Sequence, residues 1–114
     1  MKHFMKLQSR PFEAIANGSK TIELRLFDEK RQQVKIGDEI EFTELSDSKR
    51  TLLTKVVALH RFSNFEELYK SLPLEKCGYN VETVKDAKST DMDAYYSPEE
   101  QKLYGVIGIE IDLI

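Results

Sequence analysis

The chain has 114 residues, 40% of them hydrophobic and 32% charged, with a net charge of −3; this fits one globular domain able to bury a core and leaves little room for a second. An acidic balance argues against a surface built to coat nucleic acid by broad phosphate neutralisation, although a small positive pocket remains compatible with it. The one cysteine, Cys77, excludes an intramolecular disulfide, and no stretch approaches the roughly 20 apolar residues of a membrane span.

Residues 3–8 read as a first strand. Ser9 is placed to cap a helix, with Pro11 in its first turn, and Phe12, Ile15 and Ala16 form one stripe. Asn17 and Gly18 stop that helix, so Gly18 is expected at positive φ. Residues 21–27 alternate, with Ile22, Leu24 and Leu26 on one face and Thr21, Glu23 and Arg25 on the other. Residues 28–33 are a polar loop. Residues 39–44 form a strand with Ile40 and Phe42 inward, and 46–50 a polar turn. Residues 52–62, rich in Val and Leu, read as a central strand buried on both faces. Ser63 to Glu66 fits a capping box that opens a helix carrying Phe65, Leu68, Tyr69 and Leu72 as far as Pro73. Residues 80–87 are weakly helical, and 86–93 are charged and expected to be solvated. A second capping box, Ser97-Pro98-Glu99-Glu100, starts a short helix that Gly105 stops. Residues 106–114 close the fold, with Ile107, Ile109, Ile111 and Leu113 inward and Glu110 outward. About five strands and three or four short helices, without regular crossovers, predict an α+β fold. Its sheet is expected to be mixed and curled into a small barrel, the C-terminal strand pairing with a middle one.

The chemistry concentrates at residues 17–25. Glu23 and Arg25 share a strand face, and Lys20 enters from the helix stop beside them. Such a group can offer one acceptor and a forked donor to a planar polar ligand. The alternative is a solvated ion pair of little energetic weight. Tyr95 and Tyr96 are candidates for stacking on a base, one of them expected to pack and the other to stand half exposed. His3 and His60 read as structural or surface residues and Cys77 as inert packing; neither a metal nor a cofactor is expected.

Gly18-Ser19-Lys20-Thr21-Ile22-Glu23-Leu24-Arg25, Ile36-Gly37-Asp38-Glu39-Ile40, Tyr95-Tyr96-Ser97-Pro98-Glu99-Glu100-Gln101 and Tyr104-Gly105-Val106-Ile107-Gly108-Ile109 occur in that order. Together they resemble the activating signal cointegrator homology (ASCH) domain over nearly the whole chain. The resemblance implies a PUA-like β-barrel, with RNA or a modified nucleotide bound in a cleft beside the barrel that the G-x-K-x-x-E-x-R strand lines. One branch of that superfamily hydrolyses N4-acetylcytidine with a lysine, a threonine and a glutamate. Lys20 matches the lysine. Glu23 stands where the branch has its threonine, and Thr21 is on a different step of the strand. The branch's glutamate falls within residues 74–78, where Glu75 is an approximate match.

The leading reading is therefore a cytoplasmic binding module for RNA or a nucleotide-like small molecule, with no membrane role. Its ligand-binding residues would be Lys20, Thr21, Glu23, Arg25, Tyr95 and Tyr96. An amidohydrolase using Lys20 and Glu23 on an acylated nucleoside is the second reading, and a protein-interaction module the third. The oligomeric state is left open by the sequence.

Overall fold

Alternation decides which residues enter the sheet and which face each one takes. The computed structural model describes residues 1–114. Five strands, β1 (Lys2–Leu7), β2 (Ile22–Leu26), β3 (Glu39–Glu44), β4 (Asp47–Phe62) and β5 (Val106–Leu113), form one sheet in the order β1-β3-β4-β5-β2. β1 runs parallel to β3 and the other pairs are antiparallel, so the sheet is mixed and β5 pairs with the middle strand β4, as the sequence predicts. Three α-helices, α1 (Ser9–Ala16), α2 (Phe65–Ser71) and α3 (Pro98–Tyr104), and four short 3-10 segments complete an α+β domain.

The sheet curls into a half-barrel with an apolar cluster on each face. Phe12 and Ile15 of α1 join Met5, Leu7, Ile40, Phe42, Ile107, Ile109 and Ile111 in one cluster. On the other face Phe65 and Leu68 of α2 meet Ile22, Leu24, Leu26 and Val106. Gly108 lets the end of α2 come close, because a Cβ there would stand 2.7 Å from Leu72 Cδ1.

The barrel is not closed by a strand ladder. Its two edges, β1 and β2, are bridged by side chains instead. Arg25 Nη2 donates to the Lys6 carbonyl (2.9 Å) and Lys30 Nζ to the Phe4 carbonyl (2.7 Å).

Several local expectations shift. The first strand begins and ends one residue earlier than the pattern suggests. Ser9 is the first helical residue rather than the cap, and its hydroxyl donates to Glu44 Oε1 (3.0 Å). Asn64, not Ser63, caps α2 by accepting from the Glu67 amide (2.8 Å). Residues 47–50 continue β4, so the turn is tighter than predicted. β4 is not buried on both faces: Thr54 and Val56 are buried, but its first five residues are exposed, and so is Val57, which falls where the register with β5 shifts between Val56 and Ala58. Residues 80–87 hold only a 3-10 turn at Thr83–Asp86. A second one, Ser89–Ala94, buries Met92 inside the stretch expected to be solvated. Leu113 is exposed, while Ile107, Ile109 and Ile111 are buried as expected.

The stop after α1 is as predicted. Gly18 has φ of 83°, and a Cβ there would touch nothing within 4 Å. Gly18→Ala therefore incurs only the left-handed backbone strain, and a loss of about 1 kcal/mol in urea denaturation is expected. An unchanged midpoint would mean that the turn rebuilds itself.

Candidate functional site

The turn after α1 aims Lys20 along the same face as Glu23, although strict strand parity would place it opposite. Lys20 Nζ lies 2.7 Å from Glu23 Oε1, and Arg25 Nε donates to Glu23 Oε2 at 2.7 Å. The side chains are 9%, 4% and 14% exposed for Lys20, Glu23 and Arg25. This decides against a solvated surface pair: both faces of β2 are buried. Glu23 and Arg25 are paired across the ladder with Ile109 and Ile107, so they sit on the concave face of the sheet with the α1-side core.

Burial works to raise the Glu23 pKa, but the charges and hydrogen bonds of Lys20 and Arg25 outweigh it, and the carboxyl is held below its ordinary value. Burial likewise works against the Arg25 charge, and Glu23 more than compensates. Both carboxylate oxygens of Glu23 are engaged. Arg25 Nη1 has no protein partner, and Lys20 Nζ pairs only with Glu23. What the triad presents outward is therefore mainly donors.

These groups line a cavity of about 580 Å³, within the range of small-molecule sites. Lys20, Glu23, Arg25, Tyr95 and Tyr96 all border it. The Tyr96 ring stacks on Phe65 (centroids 6.3 Å apart, planes 14° apart), while Tyr95 is 64% exposed. Tyr96 is thus the packed tyrosine of the two and Tyr95 the free one. Thr21 lies outside the cavity; its amide donates to the Lys76 carbonyl and its carbonyl accepts from the Ile111 amide, both 2.9 Å. Glu75 is exposed and also outside.

The pattern alone missed a second wall. Tyr69 and Tyr79 share a 2.7 Å hydrogen bond, and the Tyr79 hydroxyl donates to Asp91 Oδ2 (2.8 Å). Burial first, then these bonds, push the Tyr79 pKa well up, so it remains a neutral donor. Gly78, at φ of 117°, covers Lys20; a Cβ there would stand 3.7 Å from Lys20 Cδ. Only the Asn80-x-x-Thr83 turn marks this wall in the sequence. There Asn80 Oδ1 accepts from the Glu82 and Thr83 amides.

A sequence model of the ASCH domain matches residues 5–114. The chain belongs to the ASCH-domain family. The crystal structure of the hypothetical protein PH0355 is similar over 100% of both chains, at 37% identity and a TM-score of 0.85. The solution structure of PF0455 from Pyrococcus furiosus is 33% identical, covering 100% of this chain and 98% of that one, with a TM-score of 0.75. ASCH from Zymomonas mobilis shares the fold at 13% identity, over 97% of this chain and 66% of that one, with a TM-score of 0.63. No curated protein matches the sequence.

In this ASCH domain no cluster of three or more His, Cys, Asp or Glu could hold a metal ion, and no helix is long and apolar enough to cross a membrane. His3 Nε2 pairs with Asp38 Oδ2 (2.8 Å) and His60 Nε2 with Glu110 Oε1 (3.0 Å), away from the cavity. Cys77 borders the cavity but is buried, and that burial pushes its thiol up to about 11. Native protein at pH 8 should therefore resist Ellman's reagent until it unfolds. Rapid reaction of the folded chain would show an open, activated thiol instead.

Proposed function

We propose that this ASCH domain is a binding module that takes RNA or a nucleotide-like small molecule into the cavity over Lys20, Glu23 and Arg25. The observation that carries the reading is the buried triad: two cations fixed by one carboxylate, with a partner on each oxygen, under a cavity with an exposed aromatic rim. Ligand-facing groups held in place by their neighbours lose little entropy on binding. Lys20 and Arg25 are suited to phosphate or carbonyl oxygens. The free face of Tyr95 is suited to stacking, which contributes about 1–3 kcal/mol per base. The buried free thiol of Cys77, its pKa raised by that burial, is compatible with a cytoplasmic setting.

The test is a calorimetric screen of free nucleosides, modified nucleosides, mononucleotides and short single-stranded RNA. Binding by any of these, weakened by Tyr95→Ala, supports the reading; no binding across the screen rejects it. Turnover of N4-acetylcytidine is not expected. A lysine acting as general base needs an uncharged amine, and Lys20 is instead ion-paired with a carboxylate 2.7 Å away. Release of acetate that Lys20→Ala abolishes would reverse this order of readings.

A further inference from the structure

The geometry points to a phosphate monoester as the group that the closed end of the cavity selects: the site takes the terminal phosphate of a nucleotide, held by Lys20, Arg25 and the Tyr96 hydroxyl. This rests on the reading of the cavity as a nucleotide site and specifies which part of the ligand goes deepest.

Three observations converge. First, the floor is rich in donors. Each Glu23 oxygen already has a cationic partner, whereas Arg25 Nη1 is free and Lys20 Nζ has protons beyond the one facing Glu23. The Tyr96 hydroxyl has no hydrogen-bond partner in the protein, and its ring is fixed on Phe65. Arg25 lies close enough for its charge to act on that hydroxyl, and the carboxylates nearby, Glu23 and Asp28, are each paired with a cation. Unfilled donors gathered beside positive charge favour an anion over an amine.

Second, the floor is narrow. Lys20 and Arg25 retain only 9% and 14% side-chain exposure. Gly78 lies over Lys20, and the Lys6 carbonyl occupies Arg25 Nη2. A group at the end of a ligand can reach such donors. An internal phosphodiester needs room for the chain to leave in both directions.

Third, the charge is local. Lys6, Arg10, Lys20 and Arg25 face Glu23 and Asp91 around the cavity, which gives the lining two net positive charges. With −3 overall, the rest of the chain carries five net negative charges. That field disfavours a long polyanion lying across the surface and does not oppose a small dianion entering the pocket.

The same chemistry exists on a free mononucleotide and on a phosphorylated RNA end. Calorimetry on the full chain would compare the four nucleosides with their 5′- and 3′-monophosphates and a dinucleoside monophosphate. It would also compare a short RNA with and without a terminal phosphate. At least one monophosphate is expected to bind tenfold or more tightly than its nucleoside, with the gain absent in the dinucleoside diester. RNA binding that requires the end phosphate assigns the source to RNA ends; binding by mononucleotides alone assigns it to the free nucleotide.

Because a phosphate monoester gains its second charge near pH 6, monophosphate affinity should rise severalfold from pH 5 to 7.5. Nucleoside affinity should show no such rise. Tyr96→Phe, which keeps the ring on Phe65, should weaken the monophosphate severalfold and by more than it weakens the nucleoside. Arg25→Lys should widen that difference further; if it does not fold, Tyr96→Phe and the pH dependence carry the test. Equal affinity for nucleoside and monophosphate overturns this inference while leaving the binding-module reading in place. RNA binding indifferent to its end phosphate does the same. No binding by any compound overturns both.

Discussion

Replacing Glu23 with alanine is expected to destabilise the fold by about 3–5 kcal/mol, the range for removing one partner of a buried ion pair. The cause is what the substitution leaves behind. Lys20 and Arg25 would face each other on the concave side of the sheet, each mostly buried, with no anion between them. Arg25 also bridges to the Lys6 carbonyl, so its displacement loosens the link between β2 and β1. Urea denaturation measures the loss as a lower midpoint at unchanged slope. A loss under about 1 kcal/mol would mean that water reaches the pair and screens it as at a surface.

The same carboxylate gives the pH dependence a sign. Its folded pKa lies below the ordinary value of 4.5, so the unfolded chain takes up the proton first. The stabilisation is fully present above the unfolded value and is lost as pH falls through the depressed folded one. Asp38 adds to this acid limb. The hydrogen bond from His3, the backbone amide of Lys35 and the N-terminal amine hold it at about 2. Its contribution fades between about pH 4 and 2. Glu23→Gln should flatten the Glu23 part and leave the Asp38 part in place.

The alternation of residues 21–27 identified the two faces of β2 correctly, because the strand period is a local property. What covers the polar face is not local. The expectation was that Ile22, Leu24 and Leu26 take the core and Glu23 and Arg25 a cleft or water. The curl of the sheet instead gives each face its own apolar cluster, and the charged residues lie against Ile107 and Ile109. That curl depends on pairings some 85 residues apart. Leu113 shows the converse: its place in the alternation is that of Ile111, but it is exposed near the end of β5. Residues 72–97 were the least legible. Two short 3-10 turns carry no hydrophobic period. The Tyr69–Tyr79–Asp91 wall arises from contacts between segments rather than from a motif. Lys20, Glu23 and Arg25 were legible because a glycine-marked turn and one strand hold all three within six residues.

Ile109→Ala should destabilise the fold by about 2–5 kcal/mol, the span for truncating a buried isoleucine. Ile109 has no exposed surface, sits in the α1-side core and pairs directly with Glu23 across β5 and β2. A side chain directly opposite on the same sheet face is a packing neighbour. The cavity left by the truncation therefore opens beside the carboxylate, where water can enter and weaken the field that holds Lys20 and Arg25. Ile109→Val removes one methyl group and should lose only about 0.5–1.5 kcal/mol. The decisive measurement is the double variant Glu23→Ala with Ile109→Ala. If the two side chains form one packed unit, their losses will not sum, and the discrepancy should exceed the roughly 0.3–0.5 kcal/mol typical of independent sites. Strict additivity would mean that the triad and the α1-side core are energetically separate. The carboxylate would then owe its burial to the cavity walls rather than to the sheet beneath it.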